Sequence, residues 1–473
     1  MTFRKLYFLR EVHMEINENN ISEYRNIHLL GIGGISMSAI AEALHSWGHN
    51  VTGSDLKSSS ITDKLNNDGI RVTIGHGMDD CKNADLIIYS AAIKDTDPEM
   101  ICAKENNIPT IIRGEFVGLL TKMYKNTICI AGTHGKTTVT SMISSCFLHA
   151  QKEPTIQVGA YFNEIDGNYK IASKDYFILE SCEYNGSFLN FHPTASIILN
   201  IDNDHLDYYK NFDNVVNAFH QFASLTDPNG IIVTNADDPN CKLLKDKLNN
   251  VVLYSLEDDN ANYVAKNVRF DEDGFGHFDV YKNKVLFTHI DLSVTGKHNV
   301  SNSLACIALC DFYKIDKNII CEALTNFHGA ERRQEYKGTF NGIKVYDDYG
   351  HHPTEIKATA DAINCKQFNK SWVIFQSHTY SRTKQHLKNF AKVLTEFDNI
   401  IIAKIYPARE TDDLGISGQS IVNEINACGK DAIYIPEFED IAKYIKENAK
   451  PGDLVLTLGA GNVNQIADLL IEK

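Results

Sequence analysis

The stretch NTICIAGTHGKTTVTSMI, residues 126–143, is predicted to form a buried strand, a phosphate-binding loop and a helix. The apolar run at 128–131 is typical of a parallel strand inside an α/β sheet. Gly132 and Gly135 then allow the backbone to turn tightly around an anion. In such loops the backbone N–H groups and the N-terminus of the following helix bind phosphate oxygens. The stretch therefore predicts a binding site for a nucleoside triphosphate.

Lys136 and Thr137 begin the helix that follows this loop. In a phosphate loop the lysine reaches the terminal phosphates, and the threonine hydroxyl binds Mg²⁺. The loop GTHGKT is shorter than the general pattern, because the expected first glycine is replaced by Ile130. An ordinary helix N-cap can give a similar string, so the prediction also depends on the polar residues after neighbouring strands. The loop residues predicted to bind ATP are Gly132, Thr133, Gly135, Lys136, Thr137 and Thr138.

Length and composition limit the classes of protein. The 473 residues are enough for about three domains. The 46 basic and 61 acidic residues give a net charge of −15, which argues against a nucleic-acid partner. No apolar run approaches the roughly 20 residues of a membrane span. Eleven cysteines without a CxxC pair, and no secretory signal pattern, indicate a reduced cytoplasmic chain.

The alternation of strand and helix patterns predicts an α/β fold with three domains. Residues 1–25 are expected to be a flexible extension, and residues 26–122 a Rossmann-like domain. Residues 123–328 contain the phosphate loop, and their glycine-punctuated strands between 260 and 293 predict a small antiparallel sheet. Residues 329–473 are predicted to form a second Rossmann-like domain.

A second glycine-rich turn, GIGGISMS, follows the first predicted strand and contains Gly31, Gly33 and Gly34. Asp55 ends the next strand about 20 residues later, as a dinucleotide fingerprint requires. The third glycine of that fingerprint is replaced by Ser36. The turn therefore leaves an NAD site open but favours a different phosphate-bearing nucleotide.

Acidic residues follow two predicted strands of the central domain. Glu180 and Glu183 follow YFIL. Asp202, Asp204 and Asp207, with His205 between them, follow the strand TASIILN. Strand C-termini beside a phosphate loop are where α/β sheets place their ligands. Mg²⁺ takes a few carboxylates together with water and substrate oxygens. Glu180 and His205 are therefore predicted to lie at the metal, although solvated loop acids would give the same pattern.

The third domain begins with a dense set of polar residues. Arg332 and Arg333 lie just after the predicted domain junction, where an arginine could neutralise transition-state charge on ATP. The stretch VYDDYGHHPTEI, residues 345–356, contains two aspartates, a tyrosine and two histidines before a helix that starts with proline. Neither a core nor a generic loop requires such a set. Asn302, in GKHNVSNS, is a further candidate in a position where asparagine is also a good helix cap.

Together the motifs GIGGISMS, AGTHGKTT, ESCEYNGSF, NIDNDHLD, GKHNVSN and DDYGHHPTE resemble those of the Mur ligases. The resemblance covers nearly all of the chain after residue 25. It implies a UDP-binding first domain, an ATP-binding central domain and a third domain that brings the amino acid. Within the family the resemblance is strongest to the reaction that joins L-alanine to the lactyl carboxylate of UDP-N-acetylmuramate, through an acyl phosphate, in peptidoglycan precursor synthesis. The alternative is the related reaction that attaches a recycled tripeptide to the same UDP-sugar.

The resemblance also implies roles for individual residues. The expected catalytic residues are Lys136, Glu180, His205 and Arg332, and the expected Mg²⁺ ligands are Thr137, Glu180 and His205. ATP is expected to contact the phosphate loop together with Asn302, Arg332 and Asp348. The residues expected near the UDP-sugar are Gly33, Gly34, Ser36, Met37, Asp55, His76, Ser90 and Arg113. The residues expected at the amino acid are Tyr349, His351 and Arg382.

Two other classes of protein stay open at this stage. A nucleotide-sensing binding protein could keep the loops without turnover, although the intact phosphate loop and DDYGHHPTE argue against it. An NAD oxidoreductase built on GIGG would have no use for the second phosphate loop. The expected assembly is a monomer or a homodimer.

Overall fold

A computed structural model describes residues 16–408 and 410–471, apart from the side chain of Asp207. The flexible extension predicted at 1–25 lies outside the described residues as far as residue 15. In the described remainder, a 3-10 helix spans Ile21–Glu23. The side chains of Ile21 and Tyr24 are buried against the first domain, because both are apolar surfaces that lose water on packing.

The first domain is a parallel sheet with the strand order β3-β2-β1-β4-β5. Its strands are β1 (Asn26–Leu30), β2 (Asn50–Asp55), β3 (Arg71–Ile74), β4 (Leu86–Tyr89) and β5 (Thr110–Ile112). Its helices are α1 (Ile35–Ser46), α2 (Ser60–Asn67), α3 (Met78–Lys82), α4 (Pro98–Glu105) and α5 (Arg113–Lys122). The strand order reverses between β1 and β4, which is where open α/β sheets bind ligands.

The central domain has ten strands in the order β15-β14-β13-β12-β11-β10-β6-β9-β7-β8. The strands are β6 (Asn126–Ala131), β7 (Thr155–Phe162), β8 (Gly167–Lys170), β9 (Tyr176–Glu180), β10 (Ala195–Ile198), β11 (Ile231–Asn235), β12 (Val251–Ser255), β13 (Tyr263–Phe270), β14 (Phe275–Lys282) and β15 (Val285–Thr295). The α-helices are α6 (Lys136–His149), α7 (Leu206–Tyr209), α8 (Phe212–Ser224), α9 (Pro239–Lys242), α10 (Leu244–Lys247), α11 (Lys297–Phe312) and α12 (Lys317–Asn326), and 3-10 helices span Asn163–Ile165 and Tyr184–Asn190. The antiparallel strands predicted between 260 and 293 continue the main sheet through the β12–β13 pairing.

The third domain has six strands in the order β16-β17-β21-β18-β19-β20, of which β16 and β17 are antiparallel. The strands are β16 (Glu335–Phe340), β17 (Ile343–Asp348), β18 (Ser371–Phe375), β19 (Asn399–Ile402), β20 (Ala432–Tyr434) and β21 (Leu454–Leu458). The helices are α13 (Pro353–Asn364), α14 (Tyr380–Leu394), α15 (Gly418–Ala427), α16 (Phe438–Asn448) and α17 (Gln465–Ile471). Among the described helices, none combines the length and apolarity that crossing a bilayer needs.

The predicted three-domain α/β fold is confirmed. The sequence patterns missed the strands β3, β7, β8, β16 and β20. Strands β3 and β20 are only three or four residues long and none of their side chains is fully buried, so their apolar signal is weak. The phosphate-loop strand β6 is the opposite case, because four consecutive residues, 128–131, are completely buried.

Candidate active site

The phosphate loop connects β6 to α6, and both of its glycines have left-handed backbone angles. The φ values are 145° at Gly132 and 83° at Gly135, which only glycine adopts readily. A Cβ atom on Gly132 would lie 2.9 Å from the Cβ of Leu199, so a larger residue does not fit. The loop therefore turns as the sequence predicted and places Lys136 and Thr137 at the start of α6.

The ammonium of Lys136 is held over this loop. It donates hydrogen bonds to the carbonyl oxygens of Gly132 at 2.6 Å and Thr133 at 3.0 Å, and to Oε2 of Glu183 at 2.9 Å. Burial opposes the charge of Lys136, but neighbouring acidic groups, first among them Glu183, outweigh burial and hold the pKa above its usual value. Lys136 is therefore a fixed positive charge. The sequence indicated Glu183 only as an acid after the strand YFIL and assigned it no role at the site.

Two members of the predicted metal set lie together. The Thr137 hydroxyl donates to Oε2 of Glu180 at 2.9 Å, and the same oxygen accepts the N–H of Gly159 at 2.9 Å. The third member, His205, lies beside Glu183 instead, with 3.7 Å between its Nε2 and Oε1 of that residue. Hydroxyl and carboxylate oxygens are the donors that Mg²⁺ prefers, so Thr137 and Glu180 fit this ion.

A cavity of about 390 Å³ lies between the central and third domains. Of the predicted ATP contacts, it is lined by Gly135, Thr138, Asn302 and Asp348. Asp348 accepts hydrogen bonds from the backbone N–H groups of Gly350 at 2.7 Å and Gln334 at 2.9 Å. Burial raises the pKa of the Asp348 carboxyl to about 6. The cavity is of the size and polarity that small-molecule sites have.

The predicted position of Arg332 needs correction. Its guanidinium donates to Oδ2 of Asp347 at 2.8 Å and to the carbonyl oxygens of Gly461 at 2.9 Å and Gly459 at 2.6 Å, inside the third domain. The next residue, Arg333, lines the cavity and donates to the Thr137 hydroxyl at 3.4 Å.

The backbone explains why Arg333, and not Arg332, lines the cavity. Arg332 has a left-handed φ of 59°, which turns consecutive side chains of the chain in different directions. Adjacent arginines look equivalent in a sequence. The structure gives the charge beside the phosphate loop to Arg333 and makes Arg332 the partner of a buried aspartate.

A second cavity, of about 460 Å³, lies at the strand ends of the first domain. The predicted UDP-sugar residues that line it are Gly34, Ser36, Met37, Asp55, His76, Ser90 and Arg113. Gly33 does not line it; the N–H of Gly33 instead donates to Oδ2 of Asp55 at 2.9 Å. Tyr184 of the central domain completes the wall.

A buried network that the sequence did not reveal supports this cleft. Glu99 is 2% exposed and accepts hydrogen bonds from the Gly77 N–H at 2.9 Å and the Ser54 hydroxyl at 2.8 Å. Nε2 of His28 lies 2.9 Å from the same carboxylate, and Nδ1 of His76 lies 3.3 Å from it. Burial opposes the Glu99 charge, but the contacts with His28, Ser54 and the Gly77 N–H outweigh it and lower the pKa. Glu99 therefore orients His76 towards the cleft.

The three residues predicted at the amino acid also lie together. The rings of Tyr349 and His351 are 5.5 Å apart. Burial lowers the pKa of His351 to about 4, against the opposing charge of Glu355 and with a contribution from Arg382, so the ring is neutral at pH 7. Arg382 donates from its guanidinium to Oδ1 of Asp204 at 3.1 Å. The arginine predicted to bind the alanine carboxylate is therefore already paired with Asp204 of the central domain.

Sequence reasoning assigned no role to three residues on the wall between the two domains, although Asp202 was among the acids that follow a predicted strand. His134, Asp202 and Glu355 line the interdomain cavity, and His134 contacts both carboxylates. The available signals were the histidine inside the phosphate loop and the glutamate that ends DDYGHHPTE. Neither residue type nor spacing shows that two segments more than 200 positions apart meet.

Models of three protein domains match the chain. The Mur ligase family, catalytic domain matches residues 26–125, the Mur ligase middle domain residues 130–310, and the Mur ligase, glutamate ligase domain residues 332–461. These ranges follow the three sheets.

Individual relatives match over almost the whole length. A UDP-N-acetylmuramate--L-alanine ligase from Acetivibrio thermocellus is 44% identical over 452 residues, which cover 95% of this chain and 96% of the relative. One from Clostridium acetobutylicum is 44% identical over 457 residues, 96% of this chain and 99% of the relative. The crystal structure of a UDP-N-acetylmuramate-alanine ligase from Thermotoga maritima is similar with a TM-score of 0.81 and 29% identity, over 94% of this chain and 98% of that one.

Proposed function

The chain belongs to the Mur ligase family, whose members are ATP-dependent ligases that form amide bonds, and we propose that it joins L-alanine to the lactyl carboxylate of UDP-N-acetylmuramate. The near full-length identity to ligases of that name supports the choice of substrates. ATP is a cytoplasmic metabolite, so the proposed reaction takes place in the cytoplasm, as a step of peptidoglycan precursor synthesis.

One observation carries the proposal: the phosphate loop lies between the two cavities. Glu183 pairs with Lys136 of the loop, and the next residue, Tyr184, lines the cleft of the first domain. On its other side the loop lines the interdomain cavity through His134 and Gly135. A nucleotide in one cavity and a sugar-borne acid in the other would thus meet at Lys136.

The chemistry needs ATP because a carboxylate oxygen is a poor leaving group. In the first step the lactyl carboxylate attacks the γ-phosphorus, ADP leaves and an acyl phosphate forms. In the second step the uncharged amine of alanine attacks the acyl carbon, loses a proton and expels inorganic phosphate. Two anions approach each other in the first step, so preorganised positive charge lowers the barrier. Lys136 and Arg333 supply that charge in this proposal.

Thr137 and Glu180 would hold Mg²⁺, with His205 close to them through Glu183. When bound, Mg²⁺ neutralises phosphate charge and orients the transferred group. Asp348 and Asn302, on facing walls of the interdomain cavity, would contact ATP.

Alanine would lie against the third domain. Arg382 offers two parallel N–H groups that suit a carboxylate, and the substrate would replace Asp204 as its partner. The neutral ring of His351 adds no positive charge here, so Arg382 is the cation that would meet the alanine carboxylate. Because the amino acid site and the phosphate loop belong to different domains, their approach also excludes water from the acyl phosphate.

Phosphate release by the purified chain tests the proposal. ATP, UDP-N-acetylmuramate and Mg²⁺ are supplied with L-alanine, serine, glycine or the recycled tripeptide. We expect one ADP for each new amide link, with alanine the preferred acceptor. A preference for the tripeptide would support the related recycling ligase, and nucleotide binding without turnover would support a sensor.

A further inference from the structure

Side-chain contacts tie the neighbourhood of the phosphate loop to the third domain. Two of them use groups that the proposed function reserves for ligands: Arg333 with Thr137, and Arg382 with Asp204. A bound metal or a bound alanine carboxylate competes with those contacts. A different contact, between His134 and Glu355, uses no group reserved for a ligand. Both residues line the interdomain cavity, but neither the metal nor alanine competes for this contact in the proposed function.

His134 bridges two carboxylates from different domains. Its Nε2 lies 2.9 Å from Oδ2 of Asp202 in the central domain, and its Nδ1 lies 3.3 Å from Oε1 of Glu355 in the third domain. Carboxylates only accept hydrogen bonds, so the ring donates from both nitrogens and is charged. Burial lowers the pKa of His134, but the two carboxylates outweigh burial and raise it to about 9. The His352 ring also faces it, at 5.0 Å between centroids.

The same carboxylate of Glu355 holds the loop that carries the predicted alanine site. Its Oε2 accepts the backbone N–H of His351 at 3.0 Å and that of His352 at 3.1 Å. One oxygen of Glu355 thus fixes the backbone beside His351, and the other faces the phosphate loop.

A neighbouring hydrogen bond strengthens the same junction. The hydroxyl of Thr354 donates to Oδ2 of Asp202 at 2.6 Å, the oxygen that His134 also contacts. The start of α13 is therefore fastened to both the phosphate loop and the strand end after β10.

We propose that Glu355, through His134, is a positioning residue that couples the phosphate loop to the loop that binds the amino acid. A phosphate loop closed on nucleotide then favours the backbone arrangement of His351 that receives alanine. Two sites in different domains are coupled when one element responds to both, and Glu355 contacts each loop directly. This inference rests on the proposed function.

The test is steady-state kinetics of the full chain with Glu355→Gln. The amide oxygen can still accept the two backbone N–H groups, so the start of α13 is kept, but the charge facing His134 is lost. We expect the KM for alanine to rise about tenfold, because one charge-assisted hydrogen bond is lost. We expect kcat at saturating alanine and the KM for UDP-N-acetylmuramate to change less than about twofold, since the first domain does not contact Glu355.

Further variants separate coupling from general damage. Asp361→Asn removes an exposed carboxylate of the same helix, whose partner is Lys357, and is expected to behave as wild type. Thr354→Val removes the second fastening without touching Glu355 and is expected to raise the KM for alanine less. His134→Gln and Glu355→Gln are also combined in one double variant. The two effects on the KM for alanine should not add, because each single substitution already removes the contact between His134 and Glu355.

The outcomes distinguish the two claims. Suppose that the wild type is active. An unchanged KM for alanine in Glu355→Gln, or additive effects in the double variant, then overturns the coupling but not the proposed function. A fall in kcat together with similar rises in the KM of every substrate and a lower Tm would indicate a structural role for Glu355, and would also overturn the coupling. A wild type that releases no phosphate with alanine overturns the proposed function, and the coupling with it.

Discussion

The cleft of the first domain and the cavity between the central and third domains are built in different ways. The cleft is lined by residues of one domain with the single addition of Tyr184, and Glu99 fixes its His76 from below. The interdomain cavity takes its walls from two domains, with Asn302 on one side and Asp348 on the other. The cleft thus depends on one folded unit for all of its wall except Tyr184, whereas the cavity takes whole walls from two units in contact. Changes at the first should alter UDP-sugar binding alone, and changes at the second should alter catalysis.

The sharpest test of this division is Lys136→Ala. The variant loses the fixed charge between the two cavities, so we expect kcat to fall about 1000-fold, with no acyl phosphate formed. Titration with UDP-N-acetylmuramate should give a Kd within about twofold of wild type, because the first cleft is untouched. The exposed Lys443→Ala serves as the control. Loss of both acyl phosphate formation and UDP-N-acetylmuramate binding would show that binding in the cleft depends on Lys136.

The two adjacent arginines give the next largest contrast. Arg333→Met should lower kcat/KM for ATP about 100-fold without changing stability, since this side chain faces the phosphate loop.

Arg332→Met should instead destabilise the third domain. It leaves Asp347, which is completely buried, without its charged partner, and we expect a loss of about 3 kcal/mol. Thermal unfolding and initial rates measured on both variants separate the two roles. Equal rate losses at unchanged Tm would restore Arg332 as an ATP contact.

Arg382→Gln tests the wall that the third domain contributes. We expect the KM for alanine to rise about 30-fold, the cost of a lost charged hydrogen-bond pair, while the Kd for the UDP-sugar stays constant. Lys384→Gln, an exposed charge two residues further along α14, is the matched control. An unchanged KM would place the amino acid elsewhere.

A smaller effect is expected in the cleft. His76→Asn removes the imidazole that Glu99 orients, and we expect UDP-sugar affinity to fall about fivefold with kcat unchanged at saturation. Isothermal titration measures the first quantity and phosphate release the second. A fall in kcat would mean that the cleft also takes part in catalysis.

The smallest expected effect concerns pH. The pKa of His134 is raised from its ordinary 6.5 to about 9, so its charge stabilises the contact between the central and third domains fully below pH 6.5 and ceases to do so as the pH rises through 9. The Tm difference between wild type and His134→Asn should therefore shrink by a few degrees from pH 6 to pH 10. A Tm difference that stays constant with pH would show that the charge of His134 does not stabilise the contact between the two domains.

Local sequence patterns predicted much of the fold and part of the site. The buried strand at 128–131 and the glycines after it follow from residue type and near neighbours, because hydrophobic period and backbone freedom are local properties. The same holds for the strand of Glu180. Arg332 and Arg333 mark the limit, since one backbone angle decided which of them faces the cavity.

The sequence by itself determined the three α/β domains, the turn of the phosphate loop and most of the polar groups that line the cleft of the first domain. Only the tertiary structure decided that Glu183 holds Lys136, that Glu99 lies beneath His76 and that His134 meets Glu355. The physical reason is distance along the chain. Charges and hydrogen bonds act over a few ångströms in space, and packing of the domains brings together residues that no local pattern connects.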